Sequence, residues 1–440
     1  MAKYQAYAEY KDSEVEWLGE IPSHWKLTRL KFLAKIRNGQ DYKHVETETG
    51  FPVMGSGGQF TFSSTYMFDR PSVLLGRKGT IDKPLYIDEP FWTVDTMYYT
   101  EVNKDIDVKY FYYLSKTILF NRYSTNTALP SMTQENLNNF EFSVPPSVFE
   151  RNQIRNFLDH ETTKIDHLIE KQQQLIELLK EKRQAVISHA VTKGLDPNVP
   201  MKDSGVEWLG AVPEHWTVSK LKYIKSHEQN AFVDGPFGSN LKSEHFVEDG
   251  DVYVIESNFA TTGNLETSNL KRITTKHFET ICRSEAKGGD IIIAKIGARF
   301  GSSSILPILD KKAVVSGNSL KLTVNCKICD VNYANKLLQH LKNEGAIDDG
   351  VNGSAQPALS LGGLNTLPFL LPPLDEQIKI IQSLDLKVSK IDQVISQVKK
   401  QILLMQERRT ALISAAVTGK IDVRNWQAPT LAEADTELSA

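Results

Sequence analysis

Spacings of four and three alternate through Ile165, Ile169, Gln172, Ile176, Leu179, Arg183, Val186 and Ala190. They recur 226 residues later through Ile391, Ile395, Val398, Ile402, Met405, Arg409, Leu412 and Ala416. This spacing keeps one seam of a helix facing a partner helix. It predicts two long helices, 150–196 and 376–422, joined along an apolar seam of Ile165, Ile169, Ile176, Leu179, Ile391, Ile395, Ile402 and Met405. Arg183 and Arg409 sit in the seam at equivalent positions, where a polar residue fixes register or contacts a partner.

The segments between the helices change period. Short apolar runs at 72–76, 290–294 and 313–316 predict strands, and 3.6-residue patterns at 108–121 and 331–343 predict helices. Gly55-Ser56-Gly57-Gly58 predicts a turn. A second repeat leads into each globular stretch: Asp12 to Trp25 matches Asp203 to Trp216 at an offset of 191. Its Trp, Leu and Pro residues read as anchors of a domain edge. Each stretch also ends alike, with Pro130 to Thr133 against Pro357 to Ser360, then Pro145-Pro146 against Pro372-Pro373. These prolines mark a hinge into each long helix.

Repeats of this length imply two similar units in one chain. The expected fold is mixed α/β (α+β): two divergent globular domains separated by a long antiparallel two-helix coiled coil, as a pseudo-two-fold cyclic repeat. The boundaries fall at 1–146, 147–196, 197–373 and 374–426, with a disordered acidic tail at 427–440. Antiparallel packing follows from connectivity. A helix of about 42 residues is about 63 Å long, too far for a domain of roughly 15 Å radius of gyration to bridge. The segment 12–25 is then expected beside the end of the second helix, as its copy adjoins the end of the first.

Composition narrows the function. The 440 residues carry a formal charge of −3, which argues against gripping nucleic acid by bulk charge but not against local basic patches. No apolar run approaches the roughly 18 residues of a membrane span, and residues 1–11 lack a signal-peptide pattern; the expectation is a cytoplasmic protein with no membrane partner. Three cysteines cannot frame disulfides, and Cys326 and Cys329 lack the second pair of a zinc site. No phosphate-binding loop, metal-binding helix or nucleophile elbow occurs. The Pro-Pro pairs are followed by Ser147 and Leu374, unlike an amino-methyltransferase motif. Glu285-Ala286-Lys287 is too short to mark a nuclease. The chain reads as non-catalytic, with no metal and no cofactor of its own.

Two divergent domains in one symmetric frame suit a divided target, because DNA readers with two-fold symmetry address two half-sites. Arg77, Lys78 and Thr80 follow a strand in a glycine-flanked turn, and Lys295 and Arg299 follow one in the same way. Arginine binds guanine bidentately and lysine binds phosphate or guanine. Ser131, Thr133 and Gln134, with Ser354, Gln356 and Ser360 in the matching loop, suit phosphates or base edges.

The chain resembles the specificity subunits of Type I restriction-modification systems over residues 12–425. The resemblance rests on Asp-Ser-x-Val-Glu-Trp-Leu-Gly at 12 and 203, Ile21-Pro22-x-His24-Trp25 and Val212-Pro213-x-His215-Trp216. In the helices it rests on Phe157-Leu158-Asp159, Lys164-Ile165-Asp166, Asp375-Glu376-Gln377 and Lys390-Ile391-Asp392. Gly76 to Thr80, Asp290 to Gly297 and Ser316-Gly317-Asn318 are also similar, which adds Ser316 and Asn318 to the candidate DNA-binding residues. Glu150-Arg151 departs from the usual Glu-Gln start of the helix. The resemblance implies two domains that each read half of a bipartite, asymmetric site in double-stranded DNA, and helices that space them and dock two modification (methyltransferase) subunits. S-adenosylmethionine would reside in those partners, and ATP and Mg²⁺ in motor-nuclease restriction subunits. The alternative from another class is a coiled-coil scaffold with two domains that bind ligands other than DNA.

Overall fold

The computed structural model describes residues 4–123, 130–348, 351–352 and 358–428. The chain divides into two compact units, Met1–Gln174 with Val398–Ala440, and Leu175–Gln397. Each unit therefore combines a globular domain with the first part of one long helix and the last part of the other.

In the first unit the strands Ala34–Asn38, Met97–Val102, Ser72–Gly76 and Leu85–Ile87 form an antiparallel sheet in that order. A second sheet joins Trp92–Thr93, Phe51–Gly55, Gly58–Ser63 and Glu46–Thr47, and the glycine cluster makes its hairpin turn. Val53, Leu74, Phe91 and Met97 lie in the core of this domain. The second unit repeats the first sheet with Phe232–Asp234, Ser319–Leu322, Ile291–Ala294 and Ser303–Ile305, also antiparallel. Its other sheet is mixed, because Val252–Ile255 runs parallel to Lys312–Val315.

The expected strands at 72–76, 290–294 and 313–316 are all present, as is the helix Val331–Asn343. The helix expected at 108–121 is not continuous: it breaks into Val108–Ser115 and Phe120–Tyr123. Ser115 Oγ donates to the Tyr112 carbonyl and Thr117 Oγ1 to that of Leu114. Such side-chain bonds compete with the helical ladder.

The long helices span Val148–Lys193 and Leu374–Val417. Each stops several residues before its sequence-predicted end because a glycine with positive φ follows: Gly194 at 81° and Gly419 at 75°. Within each unit the two helical stretches are antiparallel. In the first unit Asp166 meets Arg409 at 2.8 Å, and Gln153 reaches the carbonyls of Arg424 and Trp426. In the second, Arg183 meets Asp392 at 3.2 Å, and Gly194 lies against Glu376. The offset of 226 maps Asp166 onto Asp392 and Arg183 onto Arg409, so one contact is made twice with the helices exchanged. Of the seam residues, Ile165, Ile169, Ile176 and Ile402 are buried, and Leu179, Ile391, Ile395 and Met405 half-buried.

The lead-in repeat ties helix starts to helix ends. In the first unit Trp25 Nε1 donates to Glu150 Oε1 at 2.9 Å, and His24 Nε2 lies 3.0 Å from Oε2. In the second, Trp216 and His215 hold Glu376 in the same manner, at 3.1 and 2.8 Å. Lys420 donates to the carbonyls of Leu18 and Glu20; Lys193 donates to those of Leu209 and Ala211. The segment 12–25 thus adjoins the end of the second helix, as connectivity predicts.

Candidate nucleic-acid interface

Three backbone hydrogen bonds build the same loop cluster in both domains. At the end of a central strand, Arg77 N donates to the Thr96 carbonyl at 2.9 Å, and Lys295 N to that of Asn318 at 2.9 Å. The carbonyl of Arg77 accepts from Met132 N, and that of Lys295 from Leu359 N, each at 3.0 Å. Gly39 N donates to the Met97 carbonyl at 3.1 Å, and Gly235 N to that of Ser319 at 2.9 Å. A Cβ at Gly39 would run into the Val94 carbonyl, and one at Gly235 into the Ser316 carbonyl. Only glycine allows these backbones to approach so closely.

The side chains on this shared frame differ. In the first domain Lys78 forms a β-bridge with Ser131 and Gly79 N donates to the Pro130 carbonyl, which brings the turn of Arg77 and Lys78 beside the loop that leads to Thr133 and Gln134, while Thr80 is exposed. Arg77 donates to the Asp95 carbonyl at 3.1 Å and lies 5.8 Å from the Tyr98 ring centroid. Gln134 donates to Asn38 Oδ1 at 3.0 Å. In the second domain Asp234 takes the place of Asn38. It binds Lys295 at 3.2 Å and Arg283 at 3.3 Å. Ser316 Oγ lies 3.2 Å from Ser319 Oγ, while Arg299 and Asn318 are exposed. A cleft of about 590 Å³ runs beside them, lined among others by Pro236, Glu256, Asn258, Lys295 and Asn318, with Phe237 72% exposed at its edge.

Two of the candidate hydroxyls already have structural work. Thr133 caps the helix Gln134–Asn139 by accepting from Asn136 N, and Ser360 caps Leu361–Thr366 by accepting from Gly363 N. Cap bonds of this kind contribute about 1 kcal/mol each. Ser354 and Gln356 lie outside the described residues. The residues that the sequence did not single out are Asn38, Asp95, Tyr98, Asp234 and Arg283. Asn38-Gly39 and Asp234-Gly235 share a turn-like dipeptide at strand ends, which is the one signal that could have paired them.

Among the described residues, no group of three or more His, Cys, Asp or Glu side chains is placed to hold a metal ion. No helix among them is long and apolar enough to cross a membrane.

The family model for the Type I restriction modification DNA specificity domain matches residues 22–178 and 237–404. The chain belongs to this family. It is a Type I specificity subunit, similar to the Type I restriction enzyme MjaVIII specificity subunit of Methanocaldococcus jannaschii, with 22% identity covering 96% of this chain and 98% of that one. Two solved structures share the fold. One is a chain from a study of complex assembly and conformational transition of the type I R-M system, with a TM-score of 0.64, 14% identity, and coverage of 90% of this chain and 98% of that one. The other is the HsdS subunit from Thermoanaerobacter tengcongensis, with a TM-score of 0.52, 13% identity, and coverage of 93% and 100%.

Arg151, where this specificity subunit departs from a Glu-Gln helix start, keeps the function of the glutamine. Gln377 Nε2 donates to the carbonyls of Pro372 and Ile328. Arg151 donates to those of Pro145, Pro146 and Asp105. Both side chains bolt the hinge prolines to the domain.

Proposed function

We propose that this specificity subunit reads a bipartite, asymmetric site in double-stranded DNA, one half with each globular domain, and itself catalyses no reaction. The observation that carries this is the loop cluster built twice on identical backbone bonds but furnished with different side chains. One frame with two chemistries suits two half-sites of different sequence. Arg77, Lys78, Thr80, Ser131 and Gln134 would face one half; Lys295, Arg299, Ser316 and Asn318 the other. Phosphate contacts position such loops and base-edge contacts specify the sequence.

The paired helices and lead-in repeats would dock two modification subunits, which supply S-adenosylmethionine and methylate adenine. Restriction subunits with ATP and Mg²⁺ would complete a nuclease complex in the cytoplasm. A net charge of −3 fits a subunit whose partners share the grip on DNA. Genome-wide mapping of methylated adenines in cells with and without this chain tests the proposal. The expected result is one split sequence motif that loses its methylation when the chain is removed. An unchanged methylation map in cells whose modification subunits are active would contradict it.

A further inference from the structure

Phe32 and Tyr223, 191 residues apart, stand at the same place seven residues beyond the two lead-in repeats. Both stand in solvent, 63% and 60% exposed. Each ends a 3-10 turn, Leu30–Phe32 or Leu221–Tyr223, whose leucine is fully buried. The buried leucine fixes the turn and holds the ring outward. A single exposed aromatic needs no explanation. The same exposed ring at the same position in two domains of otherwise divergent sequence has a common cause.

The surroundings also repeat. Lys31 Nζ lies 5.3 Å from the Phe32 ring centroid, and Lys222 Nζ 4.7 Å from that of Tyr223. A second cation follows in each unit. Asn103 N donates to the Leu33 carbonyl at 2.9 Å, its side chain donates to that of Phe32, and Lys104 follows. Asn325 N donates to the Ile224 carbonyl at 2.8 Å, and its side chain accepts from Lys327 N. All four lysines are exposed. Arg29, close by, is already paired with Glu141.

The patch lies away from the DNA-facing loops. In the first unit Ala34 pairs with Val102 at one end of its strand and Asn38 with Tyr98 at the other, roughly 13 Å apart at about 3.3 Å per residue. Phe32 precedes Ala34, whereas the loop cluster begins at Asn38. In the second unit Lys225 pairs with Val324, and Asp234 with Leu320, again at opposite ends. An exposed ring flanked by cations matches an apolar socket with an acidic rim on a folded protein, since aromatic anchors dominate protein interfaces and charged rims steer the encounter.

We propose that Phe32 with Lys31 and Lys104, and Tyr223 with Lys222 and Lys327, are two equivalent docking sites for two copies of one protein partner with an acidic-rimmed apolar socket. The inference rests on the proposed function, under which that partner is the modification subunit. The test mixes the full-length chain with its cognate modification subunit and counts subunits by native mass spectrometry. The variants are Phe32→Asp, Tyr223→Asp, the double variant, and Lys31→Glu with Lys222→Glu; all four positions are exposed, so each variant is expected to fold, which its circular dichroism spectrum checks.

The unaltered chain is expected to bind two copies, each single aromatic variant one, and the double variant none. The lysine variant is expected to bind at least about tenfold more weakly. Two copies on the double aromatic variant with unchanged affinity would overturn the proposal. So would a double variant that keeps both copies but loses affinity for a DNA duplex, which would make the patch a nucleic-acid surface. Failure of the unaltered chain to bind any modification subunit would instead overturn the proposed function, and this inference with it.

Discussion

Trp25 and Glu150, 125 residues apart in sequence, share a 2.9 Å hydrogen bond inside the first unit. Glu150 is only 3% exposed and Trp25 not at all, so neither group has water to fall back on. Removing one partner of a buried, charge-assisted bond costs about 1–3 kcal/mol or more. Glu150→Ala is therefore expected to lower the opening free energy of residues 20–29 by about 2–3 kcal/mol, and Glu150→Gln by less, because an acceptor remains. Native-state hydrogen exchange at those amides measures it. Unchanged protection in Glu150→Ala would show that the clamp contributes no stability.

Arg151 and Gln377 make equivalent bonds from different side chains. Arg151→Gln is expected to cost less than about 1 kcal/mol, whereas Arg151→Ala strands the carbonyls of Pro145, Pro146 and Asp105 and costs about 2–3 kcal/mol. Chemical denaturation of the three proteins gives the comparison. Equal losses for both variants would mean that the replacement is not functional mimicry.

Arg409 and Asp166, like Arg183 and Asp392, are ion pairs that are partly exposed to solvent. Such pairs contribute about 0.2–1 kcal/mol, so their value lies in fixing register more than in stability. Reversing Asp392 to Lys is expected to destabilise the second unit, and adding Arg183→Glu to restore it. A double-mutant cycle that shows no coupling between the two positions would remove them from the register.

Asp234 pairs with both Lys295 and Arg283 and offsets one of their two charges. Asp234→Asn is expected to raise affinity for duplex DNA and to steepen the dependence of log K on log salt by about one to two, one per freed cation. Arg77→Ala is expected to lower affinity and to flatten the slope by about one. Binding titrations across a salt series decide both, and slopes that do not move would exclude these cations from phosphate contact.

The seam was legible in the sequence because a 4-3 spacing has one structural meaning, and the lead-in repeat was legible because both copies kept their Trp, His and Pro. The bond from Trp25 to Glu150 was not legible, because nothing local links a tryptophan to a carboxylate 125 residues away. Asn38 and Asp234 join the loop cluster through sheet register, which periodicity does not encode. Thr133 and Ser360 carry a structural role that the sequence reading did not include. Each hydroxyl oxygen caps a short helix, a role set by where the helix begins rather than by the residue type alone. Ser115 and Thr117 likewise sit within an apolar helical pattern and break it through bonds to the preceding turn.

Under the proposed function each domain reads its own half of the target. Residues 26–144 would be exchanged for the matching stretch of another specificity subunit, and methylated adenines mapped genome-wide in cells that carry the exchanged chain. The expected motif has one half replaced and the other unchanged; a motif altered in both halves, or in neither while methylation continues, would rule out independent reading by the two domains.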